Sequence, residues 1–364
     1  MAIDLFDGLS DYGGYVASLQ NLYGVVGFPG NGTNPASLNV TGTGPFGTGA
    51  LGFSGNTYGC FFATPVMSEL ATKGGHIRFK ANSGDSTATT GSAGIVFCDS
   101  ANNFLACAVA YIGTNGIATV YAYDVTGTSM GSQTVSGVQN AWYLLEAECT
   151  VGTSGSVEIW FNGASVGTFS GNTKGSYGST VGYVGWGIYA PPSSNNWLFQ
   201  DFVVWDTTGS SPYNANPSNY AGNAGLKIVT LFPSSDEQAE WTPSSGSSNY
   251  ALVGVEAYAG DSGYVYTNTV TDQDLYGIGT VSLSTVVMAQ TKMVARMDDA
   301  GPQQISASIK SGTTIYQGAT RTLTANYEVY IDQYSNDPDT GSTWSASKFS
   351  TANSLYIGVK EIAN

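Results

Sequence analysis

The sequence contains few charged side chains, and this shortage excludes several classes of partner. Lys, Arg, Asp and Glu together make up 10% of the 364 residues, whereas roughly 25% is usual in globular proteins. The 11 basic side chains form no continuous stripe, and the 26 acidic ones give a net charge of −15. Because nucleic acids and anionic membrane surfaces are bound by clustered Lys and Arg, we expect neither as a partner.

Histidine and cysteine are also scarce. The single histidine, His76, has no Gly-x-Ser-x-Gly motif to accompany it, so it is predicted to be a structural or surface residue and not part of a Ser–His–Asp site. The four cysteines include no Cys-x-x-Cys pair, so zinc is not expected. A hairpin turning at Asn102–Asn103 would set Cys98 opposite Cys107, either as a cross-strand disulfide or as two small buried thiols in a reduced protein.

Long apolar runs and helical periodicity are absent as well. No stretch of about 20 apolar residues is present, so we expect no membrane insertion. The first residues, MAIDLFDGLSDYGG, lack the basic start and apolar core of a secretory signal. The 48 glycines would interrupt most helices. Hydrophobic residues nevertheless reach 42% and aromatic ones 12%, which is typical of a folded protein.

Short alternating runs bounded by Gly, Ser, Thr and Asn recur along the whole chain. Such runs predict an all-β fold, with two tandem antiparallel β-sandwich (jelly-roll-like) domains. Residues 210–225 are polar, contain Gly and Pro and show no periodicity, so they are predicted to be a linker. The domains are therefore placed at 1–209 and 226–364.

One strand puts an aromatic residue on the face opposite its aliphatic residues. Val157, Ile159 and Phe161 are expected to face the core, which directs Trp160 outward. Asn162–Gly163 follows and predicts a type I′ hairpin turn, since both positions need positive φ. Trp160 is therefore a candidate interface residue, unless a loop or a neighbouring domain covers it.

Paired acidic residues are the strongest candidates for catalysis. Glu146 and Glu148 lie two apart and hence on one face of a strand, and two carboxylates suffice for glycoside hydrolysis. The pair does not match the Glu-x-Asp-x-x-Glu strand of sandwich glycosidases. We therefore predict a solvated strand face and no catalytic residues.

Calcium would need several oxygen ligands close together. Asp298–Asp299 and the pair Asp337 and Asp339 could supply some of them, but neither has the regular oxygen spacing of a calcium loop. Both are predicted to be tight turns. No metal or other cofactor is expected, with calcium as the one alternative that stays open.

Aromatic residues around a Pro–Pro turn could bind a sugar. Flat rings stack on sugar faces, and Asn side chains can form hydrogen bonds with hydroxyl groups. The alternative is that these aromatics pack a sandwich edge or a subunit interface. The candidate residues for contact with a glycan or a partner are Trp186, Tyr189, Asn195, Asn196 and Trp197.

Two stretches carry a resemblance to a known superfamily. The first, Trp142 to Gly171, contains Val-x-Ile-x-x-Asn-Gly before a short return strand, and the second is the late strand from Trp197 to Gly209. Both resemble concanavalin A-like, or laminin G-like, sandwiches. The whole arrangement is similar to virion structural proteins of tailed bacteriophages, in which a small β-domain follows a laminin G-like domain. The closing pattern of that small domain is similar to the stretch from Tyr334 to Lys360. None of the calcium or sugar ligands of the lectins can be matched here.

The resemblance implies a virion protein displayed on the particle surface after assembly in the host cytoplasm. We expect a non-enzymatic protein of the tail or baseplate periphery that contributes to host-surface attachment. Its partners would be other virion proteins, further copies of itself and a host surface glycan. A head (capsid) decoration or fibre protein is one alternative. A polysaccharide-degrading enzyme of the β-sandwich glycosidase type is another.

Overall fold

The computed structural model describes fifteen stretches of the chain, and every structural statement below concerns them. They form two compact units, Met1–Val229 and Thr230–Asn364. The described stretches are residues 3–7, 24–27, 38–43, 49–53, 60–64, 67–81, 91–113, 117–137, 141–190, 197–209, 214–221, 226–246, 248–255, 260–298 and 304–363.

The first unit contains two antiparallel sheets. Its strands are β1 (Ile3–Asp7), β2 (Gly24–Gly27), β3 (Leu38–Thr43), β4 (Gly49–Phe53), β5 (Cys60–Ala63), β6 (Thr72–Ala81), β7 (Gly91–Cys98), β8 (Phe104–Ile112), β9 (Ile117–Tyr123), β10 (Ser129–Ser136), β11 (Tyr143–Thr150), β12 (Gly155–Phe161), β13 (Ala164–Gly171), β14 (Tyr183–Ala190) and β15 (Trp197–Asp206). The first sheet has the order β13-β12-β11-β6-β15-β4-β3, with β1 also paired to β15. The second sheet has the order β10-β9-β8-β7-β14-β5-β2.

The two sheets pack face to face and enclose the core of this unit. A Cβ atom added at Gly75 of the first sheet would lie 2.7 Å from the side chain of Ile95 in the second. The ring of Trp186 in β14 lies 5.1 Å from that of Phe199 in β15. Because alternate residues of each strand point into this layer, the unit is a β-sandwich, and the predicted all-β, antiparallel fold class is confirmed.

The second unit is also built from antiparallel strands. Its elements are β16 (Pro233–Ala239), β17 (Thr242–Pro243), β18 (Val265–Tyr266), β19 (Gln273–Ile278), β20 (Ala289–Ala295), β21 (Gln304–Ser311), β22 (Thr314–Gln317), β23 (Arg321–Thr322), β24 (Glu328–Tyr334) and β25 (Leu355–Ile362). The main sheet has the order β16-β19-β25-β21-β22, with β23 also paired to β21. Two-stranded ribbons β17-β18 and β20-β24 complete the strands of the described part.

Helical segments are short in both units. They are α1 (Ser218–Ala221), α2 (Asn249–Val253), α3 (Ser347–Ser350) and the single 3-10 turn Gly260–Ser262. None of the helices in the described stretches is long and apolar enough to cross a bilayer. The predicted linker, 210–225, contributes α1 to the first unit, whose boundary lies at Val229.

The strand register corrects the expected pairing of two cysteines. Cys98 lies opposite Phe104, and Cys107 lies opposite Val96, because the register shifts beside Cys98. The turn that causes this is wider than a two-residue hairpin: Asp99 accepts hydrogen bonds from backbone groups within it, and Asn102 has a φ of 66°. Cys98 and Cys107 are buried free thiols, as is Cys149.

Candidate functional site

The outer face of the first sheet, which points away from the sandwich core, carries an unusual set of polar side chains. On β6 the residues His76 and Arg78 lie on this face, because Ile77 and Phe79, which alternate with them, point into the core. Glu146 of β11 lies opposite His76, and Leu144 lies opposite Arg78. Strand pairing thus places acidic and basic side chains side by side.

His76 and Glu146 form a buried hydrogen-bonded pair. His76 Nδ1 lies 3.1 Å from Glu146 Oε1, and neither side chain is exposed to solvent. Burial lowers the pKa of His76, against the opposing effect of Glu146. Burial alone would raise the pKa of Glu146, but its hydrogen bonds with His76 and Ser218 lower it below the ordinary value. The pair is therefore a neutral imidazole beside an ionised carboxylate.

This charge state determines the position of the imidazole proton. A carboxylate can only accept, so the proton of His76 must reside on Nδ1 and be donated to Glu146. The other ring nitrogen, Nε2, then carries a lone pair. It is buried and has no hydrogen-bond partner in the described part of the chain. His76 is thus arranged as a base that Glu146 holds in one tautomer.

Arg78 and Asp201 form a second buried pair beside the first. Arg78 Nε donates to Asp201 Oδ2 at 3.0 Å. Asp201 lies at a bulge of β15, where the register shifts between Gln200 and Val203, and its φ of 55° falls in the left-handed region. The bulge allows this side chain to leave the strand towards Arg78, and such strained polar residues cluster at functional sites.

Asp201 titrates close to neutrality. Burial raises its pKa to about 7, against the opposing effects of Arg78 and of the backbone N–H of Ile228. Glu146 and Asp201 therefore differ in protonation behaviour although both are buried on the same sheet. Two carboxyl groups whose pKa values are moved in opposite directions are suited to different roles in acid–base catalysis. We call His76, Arg78, Glu146 and Asp201 the polar cluster.

A chain segment after β15 covers the polar cluster. We call its described residues, 214–221 and 226–229, the strap. Asn216 Nδ2 donates to Glu146 Oε2 at 3.3 Å, and the backbone N–H of Ser218 donates to Glu146 Oε1 at 3.1 Å. Ser218 Oγ donates a further short hydrogen bond to Glu146 Oε2. Glu146 thus accepts four hydrogen bonds, three of them from the strap.

The strap also contacts the second pair. Arg78 Nη2 donates to the carbonyl oxygen of Leu226 at 3.1 Å, and the backbone N–H of Ile228 donates to Asp201 Oδ1 at 3.3 Å. Arg78, Glu146 and Asp201 therefore each form a hydrogen bond with the strap. The whole cluster is shielded from water, with exposures between 0% and 7%.

Aromatic residues flank the cluster on the same face. Trp205 Nε1 donates to Glu148 Oε2 at 3.3 Å, and the Trp205 ring packs where a Cβ atom at Gly74 would lie, 2.0 Å away. Trp160 lies opposite Glu146 and is half-buried. It points away from Val157, Ile159 and Phe161, all of which are in the core, as the alternation predicts. An indole ring thus stands at the edge of the cluster.

The predicted solvated face of Glu146 and Glu148 is corrected by this geometry. Glu146 is fully buried, and burial raises the pKa of Glu148, against the opposing hydrogen bond from Trp205. The sequence did contain two signals for the site. His76, Arg78 and Lys80 alternate along one strand of an otherwise acidic protein, and Asp201 interrupts the apolar run from Trp197 to Trp205.

Two of the five predicted glycan-contact residues are not on the surface. Trp186 and Trp197 have exposures of 0% and 1% and lie in the core, which corrects the prediction for these two. Their rings pack on Phe199 and Phe79 because the strands that carry them turn these positions inward. The side chain of Tyr189, and the residues Asn195 and Asn196, lie outside the described residues.

The structure gives no cluster for a metal ion among the residues it describes. No group of three or more His, Cys, Asp or Glu side chains is placed to hold one there. Asp337 and Asp339 lie in a tight turn, where Asp337 Oδ1 accepts from the backbone N–H of Asp339 at 3.0 Å. Lys348 Nζ lies 3.5 Å from Asp339. Asp298 is exposed and pairs with Arg296, while Asp299 lies outside the described residues.

Comparisons with known proteins extend only to the fold. No protein-family model and no curated protein matches the chain. Similar solved structures include the alginate lyase Aly36B, at 14% identity and a TM-score of 0.39, over 56% of this chain and 96% of that one. An endo-β-1,4-glucuronan lyase from the fungus Trichoderma reesei matches at 13% identity and a TM-score of 0.34, over 50% of this chain and 94% of that one. The alginate lyase vAL-1 from Chlorella virus matches at 12% identity and a TM-score of 0.36, over 52% of this chain and 94% of that one.

These structures correct the predicted function. All three are named as lyases of alginate or glucuronan, so the expected non-enzymatic virion protein of the tail or capsid has no counterpart among them. The prediction that the chain is not an enzyme is corrected on the same finding. The β-sandwich prediction agrees with them. The predictions of partners, calcium and location stay predictions.

Proposed function

We propose that the first unit is a polysaccharide-degrading enzyme and that the polar cluster is its active site. The observation that carries this proposal is the burial of four ionisable side chains, His76, Arg78, Glu146 and Asp201, on a sheet face. Removing charges from water is costly, and apolar residues of similar size often stabilise such a position equally well. A cluster of buried and mutually oriented titratable groups is therefore typical of a catalytic site.

The chemistry of the cluster is proton transfer. His76 Nε2 is the base, because its lone pair is free and Glu146 fixes the tautomer. Asp201 is the acid, since its pKa of about 7 leaves it partly protonated near neutral pH. Arg78, 3.0 Å from Asp201, stabilises the carboxylate that remains once the proton has left. In hydrolysis His76 would take a proton from the water that attacks the linkage, and in elimination from the carbon next to the one that bears the leaving oxygen; in both routes Asp201 would give its proton to the leaving oxygen.

The flanking groups favour a carbohydrate substrate. Trp160 offers an indole ring beside the cluster, and flat rings of this kind stack on sugar faces. The strap fills the site with a hydroxyl, a carboxamide and backbone amides, which are the groups that a sugar polymer could replace.

The test is cleavage of a panel of polysaccharides, namely cellulose, xylan, alginate and glucuronan. Release of reducing ends measures cleavage by any route, and the ultraviolet absorbance of an unsaturated product separates elimination from hydrolysis. We expect Glu146→Gln and His76→Asn each to lower kcat by about 10²- to 10⁴-fold, since both remove general-base catalysis.

Glu148→Gln is the matched control for these variants. Glu148 lies on the same strand and the same face but contacts Trp205 and not His76. We expect it to keep most of the activity of the native chain. If neither the native protein nor any variant releases product from a member of the panel, or if Glu146→Gln and His76→Asn are as active as Glu148→Gln, the polar cluster is not an active site.

A further inference from the structure

We infer that the strap is a built-in occupant of the polar cluster, with Asn216 and Ser218 standing where hydroxyl groups of a bound saccharide bind. This inference rests on the proposed function and deepens it, because it makes the closed structure a self-inhibited form. The strap and the substrate then compete for the same carboxylate.

The first support is the identity of the strap groups that reach the cluster. Glu146 has four hydrogen-bond donors, and three belong to the strap: Asn216 Nδ2, Ser218 N and Ser218 Oγ. A hydroxyl and a carboxamide are the donors through which sugars and their N-acetyl derivatives bind carboxylates.

The second support is that one polar atom of the cluster and one of the strap remain without a partner. His76 Nε2 and Asn216 Oδ1 are both buried without a hydrogen-bond partner in the described residues. Unsatisfied buried groups are rare, because each one destabilises the fold when it is left without a partner. The strap therefore satisfies Glu146 but not the base beside it, as expected of an imperfect substitute for a ligand that contacts both.

The third support is the location of the contacts. Strap contacts concentrate on the carboxylates and the guanidinium of the cluster, with Leu226 O on Arg78 and Ile228 N on Asp201. Asn219, in the helix that begins at Ser218, is exposed to solvent. One side of the strap thus forms hydrogen bonds with the polar cluster, and another side is exposed to solvent.

The test compares a strap variant, Asn216→Ala with Ser218→Ala, with the matched control Asn219→Ala in the full chain. The first readout is the rate at which diethyl pyrocarbonate modifies imidazole, which reports on His76 alone because it is the only histidine. We expect the strap variant to react about tenfold faster than the native chain, since losing two side-chain hydrogen bonds favours the open form by at least this factor. The control should react at the native rate.

The second readout is binding of oligosaccharides from the polysaccharide panel, measured by calorimetry. We expect about three- to tenfold tighter binding in the strap variant, because a smaller part of the intrinsic affinity is used to displace the strap. If the histidine reacts no faster, or if it reacts faster but binding does not tighten, the inference is overturned.

The two proposals fail in different ways. Tighter binding to the strap variant without cleavage by any variant would keep the strap inference and reject the catalytic role of the cluster. Cleavage that Glu146→Gln abolishes, with equal binding to the strap variant and the native chain, would keep the catalytic role and reject the strap inference.

Discussion

Three buried carboxyl side chains differ in how their oxygen atoms are satisfied, and this difference determines what each can do. Glu146 accepts four hydrogen bonds and stays ionised. Asp201 accepts from Arg78 and Ile228 and titrates near neutrality. Glu361 of the second unit is 3% exposed, and its Oε1 has no partner in the described residues. At the scale of residues, burial with one oxygen left without a partner makes ionisation of Glu361 costly.

Glu361 is expected to make the second unit less stable as pH rises. Burial raises its pKa to about 7, and the neighbouring Asp272 adds to the increase. A carboxyl whose pKa is raised on folding stabilises the protein fully below its unfolded pKa, and this contribution is lost as pH rises through about 7. We expect the Glu361→Gln variant to be as stable as the native chain at pH ~4. At pH ~8 its free energy of unfolding should be higher by about 1–2 kcal/mol, after allowance for solvent screening.

Amide hydrogen exchange in β19 and β25 measures the stability of the second unit alone. This separation is needed because Asp201 is expected to make the first unit less stable as pH rises as well. Asp298→Asn, which removes a carboxylate that is 80% exposed in the same unit, is the control and should leave the difference between the two pH values unchanged. A Glu361→Gln protein with the native pH dependence would show that Glu361 is solvated in the folded state.

At the scale of elements, the hairpin of β12 and β13 shows what local sequence can specify. Asn162 and Gly163 have φ values of 51° and 77°, the positive pair that a type I′ turn needs. Asn162 Oδ1 also accepts from the backbone N–H of Leu144 at 2.9 Å, which ties the turn to β11. The turn therefore fixes the register that places Trp160 opposite Glu146.

Gly163→Ala is expected to destabilise the protein by about 1 kcal/mol, because a Cβ atom is disfavoured at positive φ. Gly279→Ala is the control, since this glycine has no positive φ and no neighbour within 4 Å of its added Cβ atom. Its effect should stay within about 0.5 kcal/mol of zero. Guanidinium unfolding curves give both values, and equal stability of the two variants would mean that the turn conformation is not needed.

The hairpin and the polar cluster differ in how far the sequence could predict them. Alternation in β12 and the Asn–Gly turn are local patterns, so both were accessible from residues 155–171. Arg78 and Asp201 are 123 positions apart, and Arg78 and Leu226 are 148 apart. Which strands become neighbours is decided by packing of the whole sandwich. For that reason the sequence showed a charged strand and an isolated Asp but not their pairing.

At the scale of the whole molecule, composition predicted the fold class but not the function. Abundant Gly, Ser and Thr with alternating apolar residues are sufficient to indicate antiparallel sheets. The net charge of −15 excludes many partners but says nothing about a few buried ions. The extent of the first unit was equally hidden, because residues 226–229 look like the start of a new strand. Their role depends on Arg78 and Asp201, far away in the sequence.

The extent of the first unit leads to a prediction for fragments. A fragment ending at residue 229 keeps the hydrogen bonds of Leu226 and Ile228 to the polar cluster, whereas one ending at 225 loses both. Leaving a buried ion with one partner fewer costs about 1–3 kcal/mol for each bond. We therefore expect the shorter fragment to be less stable by about 2–4 kcal/mol in urea unfolding.

The shorter fragment should also react faster with diethyl pyrocarbonate at His76, because the cover over the cluster is incomplete. Equal stability and equal reactivity of the two fragments would show that residues 226–229 are not part of the first folding unit.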